Sequence, residues 1–174
     1  MTKISNIPQR PDPRRQWQGR VNKAQGHFFE QLIDQSCEFY RTAGRAVIEK
    51  TPEPFHITRS LGNGKFQGNF AKAAQPDYKG VLRGGDMIAI EAKTTTDEKI
   101  QQSRVSSEQT KMLNEYQDMG ARCYILVSFR IQRFFKVPWG VWRDMKALYG
   151  TKYMEIVALE PYECKFNGRY IEFL

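Results

Sequence analysis

Apolar residues recur at helical spacing between about Gln25 and Tyr40, at Phe29, Leu32, Ile33, Cys37 and Tyr40, and Gly44 follows as a stop. This pattern predicts a first core helix. The period then shortens. Ala46-Val47-Ile48-Glu49 reads as a short strand, after which Pro52, Pro54 and the run Gly62-Asn63-Gly64 break regularity. Between the breaks, Phe55 to Arg59 and Lys65 to Gln67 predict a projecting hairpin with an Asn-Gly tip. A second hairpin is predicted from Asp77 through Val81-Leu82, across Gly84-Gly85, into Met87 to Lys93. A polar linker, Thr94 to Arg104, leads to a helix opened by the capping-box pair Ser106 and Gln109, carrying Met112, Leu113 and Tyr116 and stopped by Gly120. The continuous apolar run Cys123 to Phe129 has the character of a buried central strand, with Arg133 to Val137 beside it. Trp139 to Tyr149 predicts a turn and short helix, and Tyr153 to Leu159 and Tyr170 to Phe173 predict closing strands around a turn at Asn167-Gly168. Helices and strands in this order predict an α/β layered domain with a mixed central sheet.

Residues 1–24 break the pattern. Arg10, Arg14, Arg15, Arg20 and Lys23 lie among prolines with few apolar neighbours, which predicts a flexible basic arm ahead of one domain over 25–174, with 52–72 as its hairpin insertion. The formal charge of +8 over 174 residues makes a polyanion the expected partner, nucleic acid before an anionic membrane. Arg59, Lys65, Lys72 and Lys79, with Arg20 and Lys23 on the arm, are candidate phosphate contacts, and Phe66 offers a stacking face. The chain has neither an apolar stretch of membrane-spanning length nor the apolar core of a signal peptide, so a cytoplasmic protein is expected. Cys37, Cys123 and Cys164 support neither a disulfide framework nor a zinc site, and without a G-x-x-x-x-G-K-[ST] motif the glycines near Lys65 do not read as a nucleotide loop.

The candidate chemistry lies in Pro76-Asp77 and Glu91-Ala92-Lys93. Side chains two apart on a strand share a face, so Glu91 and Lys93 point together while Ile88, Ile90 and Ala92 point into a core, and the hairpin brings Asp77 beside Glu91. Close carboxylates repel unless a divalent cation neutralises them, and Mg2+ favours such hard oxygens. With a lysine alongside, this is what metal-dependent phosphodiester cleavage requires. Glu30 lies on the flank of the first helix's apolar stripe, facing a site or water. Gln109 has a sufficient reason in its cap, though its amide can also face the site.

Taken in order, the glutamate-bearing helix, the projecting hairpin, Gln75-Pro76-Asp77-Tyr78-Lys79-Gly80, Ile90-Glu91-Ala92-Lys93 and Ser107-Glu108-Gln109 before a helix resemble the RecU family of Holliday junction resolvases. The resemblance runs from about Gly26 to the C-terminus. It implies a restriction-endonuclease-like core, magnesium ligands at Asp77, Glu91 and Gln109, a transition-state lysine at Lys93 and a first-helix glutamate at Glu30. Mg2+ is the expected ion, with Mn2+ as an alternative. The family's threonine two positions before the aspartate is replaced by Gln75, a candidate ligand in its stead, and the hairpin is slightly shorter; such divergence suits a phage-encoded branch. The function implied is a homodimeric endonuclease cutting four-way junctions by paired nicks, with recombinase or branch-migration proteins as further partners. A sequence-specific restriction or nicking nuclease on the same core, and a non-catalytic DNA-binding or strand-bridging protein, are the alternatives.

Overall fold

The structure, a computed structural model, describes residues 12–70 and 75–174. A long helix α1 (Pro13–Thr42) leads into β1 (Ala46–Lys50), the hairpin β2 (Phe55–Gly62) and β3 (Lys65–Phe70), and then β4 (Tyr78–Leu82) and β5 (Met87–Thr95). After β6 (Lys99–Gln101) and a 3-10 turn come α2 (Ser107–Asp118), β7 (Arg122–Phe129) and β8 (Arg133–Pro138). The short elements α3 (Trp139–Arg143), α4 (Met145–Tyr149), β9 (Tyr153–Glu155), α5 (Ile156–Leu159), β10 (Glu163–Phe166) and β11 (Ile171–Glu172) complete the chain.

Seven strands form one sheet in the order β1-β4-β5-β7-β8-β10-β11. Only β5 and β7 run parallel, joined by the crossover through α2; every other pairing in this sheet is antiparallel. The fold is therefore the expected mixed α/β architecture. Both faces of the sheet are covered. On one, Phe29, Leu32, Ile33 and Tyr40 of α1 pack over Ile48, Tyr78, Ile88, Ile90 and Leu126. On the other, Leu113 of α2 joins Ala89, Ile125, Val127, Trp139 and Trp142. Burial on both sides explains why Ala89 and Glu91 are as inaccessible as Ile88 and Ile90, where the alternating pattern predicted only one inward face. The C-terminal strand is tied to α1 by hydrogen bonds: Tyr40 Oη accepts from the Phe173 and Leu174 amides, and Ser36 Oγ accepts from that of Ile171.

Four local expectations are corrected. The helix begins at Pro13 rather than near Gln25, because Asp12 caps it by accepting from the Arg14 amide and Pro13 occupies the first turn, where its missing N–H is harmless. Arg14 and Arg15, with Arg20 and Lys23, are thus helical, not part of a flexible arm; Arg10 lies outside the described residues. The polar linker after Lys93 contains the end of β5 and also β6, which pairs with β9 to form a separate two-stranded sheet. Residues 156–159, predicted as strand, form α5, and β10 supplies the strand before the Asn167-Gly168 turn.

The hairpin expected around Asn63-Gly64 is present as a sheet of its own, and Asn63 and Gly64 both take positive φ, as a tight turn of this hand requires. All residues of β2 are exposed. Where the chain leaves β1 and returns to β4, the Thr51 amide donates to the Asp77 carbonyl at 2.8 Å, so the hairpin's two ends are joined at one end of the main sheet.

Candidate active site

Strand register assembles the acidic pair. In the β4–β5 ladder Tyr78 faces Ile90, and continuing by one residue sets Asp77 opposite Glu91 on the same face. Asp77 Oδ2 accepts the Ala92 amide at 2.8 Å, which fixes its carboxylate against β5. Glu91 is fully buried. Its Oε1 accepts from Lys93 Nζ and from Gln109 Nε2, each at 2.5 Å, while Oε2 has no hydrogen-bond donor. The Asp77 carboxylate beside it is another acceptor, so the two can share a hydrogen bond only when one is protonated. Burial, and then the Asp77 charge, push the Glu91 carboxyl up to about 7 despite Lys93; burial raises Asp77 as well. Two carboxyls held this way lack a positive partner equal to both.

Gln109 comes from the first turn of α2. Its amide and the Ser106 hydroxyl form the predicted capping box: Ser106 N donates to Gln109 Oε1 at 3.1 Å, and Gln109 N donates to Ser106 Oγ at 3.2 Å. Lys93 Nζ also approaches Gln109 Oε1, at 3.4 Å. The cap therefore aims the glutamine nitrogen, not its oxygen, at Glu91; acting as an oxygen ligand requires the amide to rotate.

Other predicted residues are not hydrogen-bonded into this cluster. Glu30 is on the α1 side of the sheet, where its Oε2 accepts from Lys50 Nζ at 2.8 Å. Gln75 is exposed, and its Oε1 accepts from Lys79 Nζ at 2.7 Å, which ties down two predicted contacts at once. Arg59, Lys65 and Phe66 project on the exposed hairpin, and Arg20 and Lys23 are exposed along α1. Lys72 lies outside the described residues. A cavity of about 820 Å3 near the ends of β5 and β7, lined in part by Lys99, Arg130 and Arg133, does not include either carboxylate.

The donor set suits a hard divalent cation. Glu91 Oε2 is buried without a partner, Asp77 adds a second anionic oxygen, and among the described residues no third His, Cys, Asp or Glu completes a group with them, so further ligands must be neutral oxygens or water. Lys50, which sequence reasoning passed over, is a second cation within electrostatic reach of Asp77 from the α1 side: Glu30, Asp34 and Asp77 all raise its pKa, the Glu30 hydrogen bond most. Its signal was positional, at the last residue of β1 opposite Tyr78.

Paired carboxylates with an adjacent lysine, at the end of a mixed sheet, make a site chemically equipped for phosphodiester hydrolysis. A profile of the family described as Recombination protein U matches residues 24–173. The chain belongs to this RecU family. It is 30% identical over 110 residues to the Holliday junction resolvase RecU of Streptococcus gordonii, covering 60% of this chain and 54% of that one. For the Streptococcus sanguinis protein of the same name the identity is 31% over 118 residues, covering 64% and 58%. For that of Lactobacillus delbrueckii subsp. bulgaricus it is 29% over 147 residues, covering 78% and 69%. The matches to the two streptococcal relatives thus span little more than half of their length. Among solved structures, the Holliday junction resolvase Hjc of Archaeoglobus fulgidus aligns with a TM-score of 0.49 at 12% identity, covering 76% of this chain and 93% of that one.

Proposed function

We propose that this chain is a structure-selective endonuclease that resolves four-way DNA junctions by paired, divalent-metal-dependent nicks. The observation that carries the reading is the pair of half-buried Asp77 and fully buried Glu91, with Lys93 Nζ 2.5 Å from Glu91, in a chain of the RecU family. Asp77 and Glu91 would hold Mg2+, or Mn2+ in its place. The bound ion would polarise the phosphate and make water more acidic. Lys93, 16% exposed, reaches the edge of the site, where its ammonium can orient the attacking water and offset charge on the phosphate in the transition state. Glu30 and Lys50 form the rim on the α1 side. The exposed hairpin, rooted beside Asp77, would present Arg59, Lys65 and Phe66 to the branch point, with Arg20 and Lys23 adding phosphate contacts that position DNA without reading much sequence. Two scissile strands related by a two-fold axis call for two such sites, which a symmetric homodimer supplies.

The test compares a synthetic immobile four-way junction with a linear duplex of the same arm sequence, with and without Mg2+, for wild type and Asp77→Asn. Paired nicks in the junction alone are expected. The variant should lose cleavage by at least about a thousandfold, a loss of about 4 kcal/mol in transition-state stabilisation, while retaining metal-free junction binding. Equal cutting of duplex would identify a general or sequence-specific nuclease instead, and binding without metal-dependent cleavage would identify a non-catalytic DNA-binding protein.

A further inference from the structure

The acidic pair belongs to a longer row. The β1–β4 ladder pairs Lys50 with Tyr78, and the next step pairs Thr51 with Asp77, as the 2.8 Å hydrogen bond from the Thr51 amide to the Asp77 carbonyl demonstrates. Directly opposed residues in an antiparallel ladder share a face, with Cβ atoms about 5 Å apart. Thr51, just past β1, Asp77, just before β4, and Glu91 of β5 therefore stand side by side at the ends of adjacent strands, on the face away from α1. In the same ladder Lys50 points the other way, toward Glu30 on α1, as the alternation of side chains demands.

Thr51 Oγ1 is buried and has no hydrogen-bond partner, the same condition as Glu91 Oε2 two strands away. A buried hydroxyl without a partner is unfavourable. A threonine has both a donor and acceptor sites to offer, and the nearest groups in its row are carboxylates lacking positive charge. With two acidic ligands in the cluster among the described residues, an ion there keeps much of its water shell, and those waters need acceptors.

We infer that Thr51 is a positioning residue of the ion site: its hydroxyl hydrogen-bonds a water in the hydration shell of the divalent ion held by Asp77 and Glu91. This rests on the metal-dependent reading of the site and extends it to a residue outside the Asp-Glu-Lys pattern. Thr51 also begins the passage into the hairpin, so the same residue contacts the ion's shell and the root of the DNA-directed projection.

The experiment measures Mn2+ affinity of the full chain without DNA, by the electron paramagnetic resonance of free Mn2+ and by Mg2+ competition, for wild type, Thr51→Val and Thr51→Ser. Thr51→Val keeps the shape and strand preference but removes the hydroxyl. It should weaken Mn2+ binding about tenfold, the low end of the loss seen for an outer-shell partner, and Thr51→Ser should restore it. Melting in the presence of chelator separates this from a structural role: Thr51→Val should be at least as stable as wild type without metal, yet gain less from added Mg2+. Equal Mn2+ affinity in wild type and Thr51→Val, or failure of Thr51→Ser to restore binding, overturns the inference. A wild-type chain that binds Mn2+ but cuts no junction overturns the proposed function and leaves this inference to stand or fall on the affinities; a chain that binds no divalent ion overturns it outright.

Discussion

Glu91 ionises against burial and against the Asp77 charge, and the Lys93 ammonium only partly compensates. Its folded-state pKa of about 7 exceeds the ordinary 4.5, so the folded protein binds this proton more tightly than the unfolded chain. The associated stability is fully present below about pH 4.5 and is lost as pH rises through about 7. In chelator, this group should therefore make the protein less stable at pH 8 than at pH 5. Glu91→Gln should flatten that slope and raise the melting temperature at pH 8, and saturating Mg2+ should do the same for wild type by favouring both anions; melting curves across pH check each outcome. At this scale the sequence was informative where chemistry is written in neighbours: Glu91 and Lys93 share a face because they are two apart, and Asp77 follows across the Gly84-Gly85 turn. Thr51 was not legible, since its place depends on the register of β1 against β4, two segments separated by the whole hairpin. Gln75 entered through the resemblance alone, and its side chain turns to Lys79.

Among elements, α2 couples stability to the site most directly, because Gln109 serves both the capping box and Glu91. Ser106→Ala should lower unfolding stability by about 1 kcal/mol, and Ser106→Asp, which keeps an acceptor at the cap, should recover most of it; urea denaturation measures both. The box was readable from Ser106 and Gln109 because capping is a local code. The start of α1 was readable in principle from Asp12-Pro13, but the scarcity of apolar residues before Gln25 suggested an unfolded arm, and a helix whose polar flanks stay in water needs no such residues there. By contrast, β6 is three residues long and pairs across a wide gap in sequence, so it carries too little period to declare itself, whereas its partner β9 fell within the strand expected from Tyr153. The run Ile156-Val157-Ala158-Leu159 has strand-forming residues yet forms α5, with Leu159 buried and Val157 exposed, a case of tertiary context overriding propensity.

For the molecule as a whole, the positive charge and the hairpin, exposed along all of β2, would separate the proposed DNA engagement from folding. Replacing residues 55–70 by a short Gly-Ser link should leave the melting temperature within a few degrees of wild type and Mn2+ affinity unchanged, because the main sheet loses no strand. Junction affinity should fall, and with it the preference for junction over linear duplex, as competition binding at fixed salt would report. None of the described helices is long and apolar enough to cross a membrane. The pinned exit and return of the hairpin also bear on how such a protein can diverge. Since the bond between Thr51 and Asp77 closes the loop at its base, residues can be inserted, deleted or exchanged farther out without shifting the ladder that aligns the oxygens. The outer hairpin can therefore drift in one lineage after another while the acidic pair is inherited unchanged.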